Sequence, residues 1–306
     1  MKELEEQVNH AYWIDLGLTN YADVCNLQVR LAELRNNGNI PDVILCTQHN
    51  PVISFGGAFK HNGFSPEFLD EVKRLNGDCS IAMIQRHLNR EGIHFYPADI
   101  EHVHGRDNYK LHFDSGTSRG GGSTYIGPGQ LVIYPIVNYK KIVNDGSISS
   151  PEYKQLIDRI MYETLSEFYS IPAQIFNVLD VLPDIDHDEE RKDRKDIWVE
   201  KNRKYYKIGS KSVHFSKDVA YHGFSLFVNK KGIQGFDKVL VCGYTRDQLD
   251  VTSMEHETGE ELDIDEVKRA ALSKIQEHFN YDDLIETTIN FFSAMFCINQ
   301  IMPEES

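Results

Sequence analysis

A chain of 306 residues with 41% hydrophobic composition carries enough apolar material for a buried core. Its formal charge of −15 disfavours nucleic acid, which needs a basic face, and no run approaches the roughly 20 apolar residues of a membrane span. The five cysteines, Cys25, Cys46, Cys79, Cys242 and Cys297, include no CxxC pair, and the odd count argues against a disulfide framework or zinc cluster and for free thiols; the missing span and a start too acidic and polar for a signal peptide make the cytoplasm the expected location.

The first periodic segment, YADVCNLQVRLAELRNNGN, places Val24, Leu27, Val29, Leu31 and Leu34 at roughly helical spacing and predicts a helix stopping at Asn36, Asn37 and Gly38. PDVILCTQHNPVISFGG then predicts a buried strand from Val43 to Cys46, a turn at Asn50 and Pro51, and a second strand ending in glycines. The polar stretch from about 65 to 110 reads as an insertion with helical and short strand candidates. RGGGSTYIGPGQLVIYPIV follows, with Gly120, Gly121, Gly122, Gly127 and Gly129 in eleven residues and a continuous apolar strand from Leu131 to Val137. Bare backbone of this kind serves either close approach to a ligand or a tight reversal of the chain.

SPEYKQLIDRIMYETLSEFYS predicts a helix with a Ser-Pro-Glu start and apolar residues at Leu156, Ile160, Leu165 and Phe168. A charged loop, DIDHDEERKDRKD, leads to short strands around Trp198, from Tyr206 to Ile208 and from Phe224 to Val228. Between Arg191 and Lys207 eight Lys or Arg face three Asp or Glu, a basic run on an acidic body that reads either as a solvated loop or as a patch. DIDEVKRAALSKIQEHFN predicts an amphipathic helix, and a last apolar helix is expected around Leu284 to Ile301, within a C-terminal extension from about 280 to 306. Strands and helices interleave without a strict βαβ repeat or a composition break. The expected architecture is one α/β domain over 1–306, a mixed sheet flanked by helices.

Several of these segments, in the same order, resemble the lipoyl (octanoyl) transferase family. RGGGSTYIGPGQLVIYP is similar to the family's glycine-rich RGG-x-x-TYHGPGQLV segment, YKIGSKSVHFSKDVAYHGFSLFVN to its lysine and HG-x-ALN segments, and VCGYTRDQLDVTSM to its CG…TSL segment. DLGLTNYADVCNLQ and QHNPVISFGG extend the similarity upstream. The resemblance implies the biotin/lipoate ligase catalytic fold and transfer of an octanoyl chain from acyl carrier protein to a lysine of lipoyl domains, in 2-oxoacid dehydrogenases or the glycine cleavage H protein. No metal, nucleotide or other cofactor is implied.

It also implies roles. Cys242 would be the acyl-thioester nucleophile and Lys207 its proton-transfer partner. Substrate-binding positions would be Arg119, Gly120, Gly121, Thr124, Tyr125, Ile126, Gly127, Gly129, Gln130, Gly209, His222 and Gly223, with the glycine loop and following strand as one wall of an acyl tunnel. The chemistry suits the residue types, because a thiolate is both a good nucleophile and a good leaving group. A free thiol, pKa about 8.5, needs a nearby amine to take its proton or steady its charge, and a lysine takes a proton only when burial lowers its own pKa.

On residue type alone, Cys242 also fits a small buried hydrophobe, Lys207 a surface lysine and His222 a structural histidine, and the other four cysteines keep the hydrophobic reading. The sequence departs from the family at Ile126, where a histidine is usual, at Ser212 in place of a glycine, and at Phe227 in place of an asparagine, where the ring is expected to shorten an acyl pocket. Because acidic carriers would be repelled by a −15 surface, the basic run is the expected docking patch. An ATP-dependent lipoate or biotin ligase, or a binding protein that lost the chemistry, are the competing readings of the same fold.

Overall fold

The computed structural model describes residues 9–55, 63–77, 79–96, 100–102, 109–111, 123–142, 147–182 and 195–298. Strand β1 (His10–Thr19) leads through Asn20, whose side chain accepts from Ala22 N–H, into helix α1 (Tyr21–Asn36). The predicted spacing holds, with Val24, Leu27 and Leu31 buried. β2 (Val43–His49) and β3 (Val52–Phe55) flank the turn expected at Asn50 and Pro51. The stretch read as an insertion holds α2 (Pro66–Asn76), α3 (Ile81–Arg90), β4 (His94–Tyr96), β5 (Ile100–His102) and β6 (Tyr109–Leu111).

β7 (Ser123–Ile126) and β8 (Gln130–Asn138) follow, then α4 (Ser150–Tyr169). Ser149 and Glu152 cap α4 reciprocally, one residue before the predicted start. The chain continues as β9 (Ala173–Asn177), β10 (Lys195–Lys201), β11 (Lys204–Ser216), β12 (Val219–Phe227) and β13 (Leu249–Val251). It closes with α5 (Met254–Thr258), α6 (Ile264–His278), β14 (Asp283–Thr287) and α7 (Ile289–Met295).

A mixed sheet runs in the order β14-β1-β2-β8-β12-β11-β10-β9, with β13 added beside β11. The ladders β14/β1, β1/β2 and β11/β13 are parallel, and the rest of this sheet is antiparallel. Both faces of β8 are covered, which is why its sequence is a continuous apolar run rather than an alternating one. Leu131, Ile133 and Val137 join the core under α4 and α6, while Val132, Tyr134 and Ile136 join the core under α1. A smaller sheet, β4-β3-β7, carries the β2/β8 pairing onward past the turns at Asn50 and Gly127, and β5 pairs antiparallel with β6.

One expectation changes. The tail is not helical from Leu284: Asp283–Thr287 is a strand, because the open edge of β1 offers a parallel partner from His10 to Ile14. Helix begins only at Ile289, after Thr288 caps it. Within the stretch read as an insertion, Phe68, Val72, Ile84, Leu88 and Ile93 share a core cluster with Trp198, Phe227, Val241 and Tyr244.

Candidate functional site

That third core cluster supports a tight turn from Val241 to Tyr244. Tyr244 N–H donates to Val241 O at 3.0 Å, and the two central residues, Cys242 (φ +54°) and Gly243 (φ +83°), both have left-handed backbone, as a type I′ turn requires. Gly243 accepts that conformation without strain, which gives the Cys-Gly pair a physical reason. Val241 and Tyr244 are buried and hold the turn by its flanks. The approach is fastened to the start of α2: Leu240 N–H donates to Gly63 O at 2.9 Å, and the Ser65 hydroxyl to Asp237 O at 2.6 Å.

Lys207 reaches the same place from β11. It stands opposite Trp198 of β10, beside a register irregularity, with Nζ 5.8 Å from the indole ring centroid. On its other side β13 pairs in parallel, Lys207 with Val251, and Thr252 N–H donates to Lys207 O at 2.9 Å. The spacing of VCGYTRDQLDVTS thereby becomes intelligible: the chain leaves the cysteine turn and comes back to lie along the lysine's strand. Lys207 is only 8% exposed, yet its Nζ donates to Cys242 Sγ at 3.5 Å. Thirty-four intervening positions are closed by the fold.

A third group, Asp196 of β10, completes the arrangement. Its Oδ2 lies 3.0 Å from Lys207 Nζ and 3.6 Å from Cys242 Sγ. Burial pulls the Lys207 pKa down, but Asp196 and Cys242 together outweigh it and hold it above the ordinary lysine value, whereas burial pushes the Cys242 thiol up, with Lys207 pulling it down and Asp196 adding to the rise. These directions favour a thiol on Cys242 and an ammonium on Lys207, which faces Asp196 as an ion pair. The Lys207 pKa is thus raised rather than lowered, so of the two aids expected of a nearby amine, taking the thiol's proton or steadying its charge, the second is the one these surroundings suit. Nothing in the sequence marked Asp196, which sits inside the basic run, because its contact depends on the β10/β11 register.

The other expected positions are spread over several elements. Arg119, Gly120 and Gly121 lie outside the described residues. Thr124, Tyr125 and Ile126 form β7; the Tyr125 ring packs edge-on against Phe236 at 5.8 Å, and Ile126 is buried in the core under α1. Gly127, Pro128 and Gly129 make the turn into β8, where Gly129 N–H donates to Gln48 Oε1 and its carbonyl accepts from Val228 and Asn229. A Cβ on Gly129 would lie 2.7 Å from the Gly232 nitrogen. What approaches this glycine is the protein's own backbone. The fully buried Gln130 donates to Tyr125 O at 3.2 Å and Gly232 O at 2.6 Å.

Gly209 lies two residues beyond Lys207 on β11. His222 and Gly223 lie elsewhere on the sheet. His222 pairs with Val213, six residues along β11 from Lys207, a separation of about 20 Å at strand rise. Its backbone N–H donates to Gln28 of α1, and its ring stacks on Tyr221. Gly223 sits where a Cβ would lie 2.2 Å from Ile133 O. Phe227 is fully buried, its ring 5.1 Å from Phe236. In the basic run, Lys201 pairs with Glu257 at 2.6 Å and Lys204 with Asp250 at 3.7 Å, while Arg191 and Arg194 lie outside the described residues. No helix among the described residues is long and apolar enough to cross a membrane.

Residues 116–276 match the family described as "Lipoyl protein ligase A/B catalytic domain". An octanoyltransferase of Alkaliphilus metalliredigens is 27% identical over 278 residues, covering 91% of this chain and 99% of its own. A mitochondrial octanoyltransferase of Arabidopsis thaliana is 26% identical over 272 residues, covering 88% and 89%. Among solved structures, a bipartite lipoate protein ligase from Thermoplasma acidophilum superposes with a TM-score of 0.54 at 12% identity, over 94% of this chain and 90% of that one, a likeness of fold.

Proposed function

The chain belongs to the lipoyl protein ligase A/B catalytic-domain family, and from that premise we propose that it is an octanoyltransferase working through a thioester on Cys242. The donor in this reading is octanoyl acyl carrier protein, and the acceptor is a lysine of a lipoyl domain, of a 2-oxoacid dehydrogenase or the glycine cleavage H protein. The reaction runs in the cytoplasm without a cofactor. The observation that carries the reading is the 3.5 Å approach of Lys207 Nζ to Cys242 Sγ, a sulfur and an amine placed to exchange a proton.

The first step balances as an exchange. Cys242 Sγ attacks the donor's carbonyl carbon, the carbon–sulfur bond to the carrier breaks, the departing thiolate takes a proton from Lys207 Nζ, and the Sγ proton replaces it. In the second step the acceptor's neutral amine attacks the acyl-cysteine, and its surplus proton passes by way of Lys207 to the released Cys242 sulfur. A thioester formed midway splits one difficult transfer into two easier ones.

Incubation with octanoyl acyl carrier protein should add one octanoyl group to the intact mass, removable by hydroxylamine and abolished by Cys242→Ser. Adenylate formation from ATP and free octanoate would instead make the chain a ligase. No mass change with either donor would make it a binding protein.

A further inference from the structure

Asp196 Oδ2, Lys207 Nζ and Cys242 Sγ form a triangle with sides of 3.0, 3.5 and 3.6 Å. One cation faces two groups able to carry negative charge. If Cys242 loses its proton, thiolate and carboxylate lie 3.6 Å apart and compete for the same ammonium. All three side chains are largely withdrawn from water, so the competition is weakly screened.

We propose that Asp196 is a positioning residue of the transfer: its carboxylate holds the Lys207 ammonium against the sulfur and, by competing for that ammonium, keeps Cys242 a thiol in the resting protein. The inference rests on the reading of Cys242 as nucleophile and says what governs that nucleophile. Acylation removes the competition, because a thioester sulfur carries no charge, and the Asp196–Lys207 pair is then left intact beside the bound acyl group. Asp196 thus favours the protonated and acylated forms of the sulfur over the bare thiolate.

Among the described residues, Lys207 of β11 and Asp196 of β10 are charges that act on the sulfur. Asp158 of α4 feels Asp196 but is paired with Lys211, and Asp250 of β13 is paired with Lys204 and Arg246. Lys195, next to Asp196 in sequence, is exposed.

The test is the pH profile of Cys242 alkylation by iodoacetamide, read by intact mass in a Cys79→Ser, Cys297→Ser background. The unmodified site should titrate above the ordinary thiol value of about 8.5. Asp196→Asn should move the midpoint down by about one unit or more, the size expected when a charge within contact distance is removed. Asp196→Glu should restore the high midpoint, and Lys207→Met should raise it further. An unmoved or raised midpoint in a folded Asp196→Asn protein overturns the proposal. So does a midpoint at or below the ordinary value with Asp196 in place, a result that needs no variant to fold. Alkylation requires no acyl donor: failure of octanoyl transfer sinks the proposed activity and leaves this readout standing, while a failed shift sinks only the role of Asp196.

Discussion

Cys242 carries its thiol on left-handed backbone, a conformation that costs an L-residue about 1–2 kcal/mol. The surrounding core supplies the restraint that keeps it there, and such strain in a functional turn fixes the direction of a side chain. Replacing Cys242 by glycine should therefore leave the protein about 0.5–1 kcal/mol more stable than replacing it by alanine, as read by urea denaturation; alanine proving equal or better would deny the strain. At this scale the sequence was partly legible. The cysteine and lysine stood out through the segments around them. Asp196 did not, because a carboxylate in a run of lysines looks like one of their surface partners until strand register sets it beside a sulfur. His222 and Gly223 show the opposite case, motif positions whose place on the sheet lies about 20 Å from the pair.

Individual elements were legible where local chemistry decides. α1 and α4 followed apolar spacing and capping residues, and β8 followed its unbroken apolar run. β14 was not, since its strand character comes from the open edge of β1 and not from its own short sequence. Gly223 has a similarly external cause. The β8/β12 ladder lapses between Ala220 and Phe224, where β8 carries Pro135 with no N–H to give, and the two backbones close together over the gap. Gly223→Ala would press a Cβ into Ile133 O and Pro135 Cδ. It should cost about 1–3 kcal/mol in thermal or chemical denaturation; a neutral result would mean the strands can part freely.

Across the whole molecule, a charge of −15 sets the terms on which any acidic carrier can approach. Two lysines of the basic run are already engaged by Glu257 and Asp250, so their field outside the protein is smaller than a count of positive residues suggests. Lys195 remains exposed. Reversing Lys195 and Lys204 together to glutamate should slow transfer from carrier protein several-fold at low salt, and less at high salt, while a small octanoyl thioester reacts as before. Equal slowing of both donors would remove the basic run as a docking surface.

The fastening between Ser65 and Asp237 joins residues 172 positions apart, and the cysteine turn hangs just beyond it. Contacts that distant form late, after nearer segments have already collapsed. A newly made or half-unravelled copy accordingly owns both the sulfur and the amine without any acquaintance between them, so in the proposed thioester route catalytic competence would arrive as a certificate of completed folding.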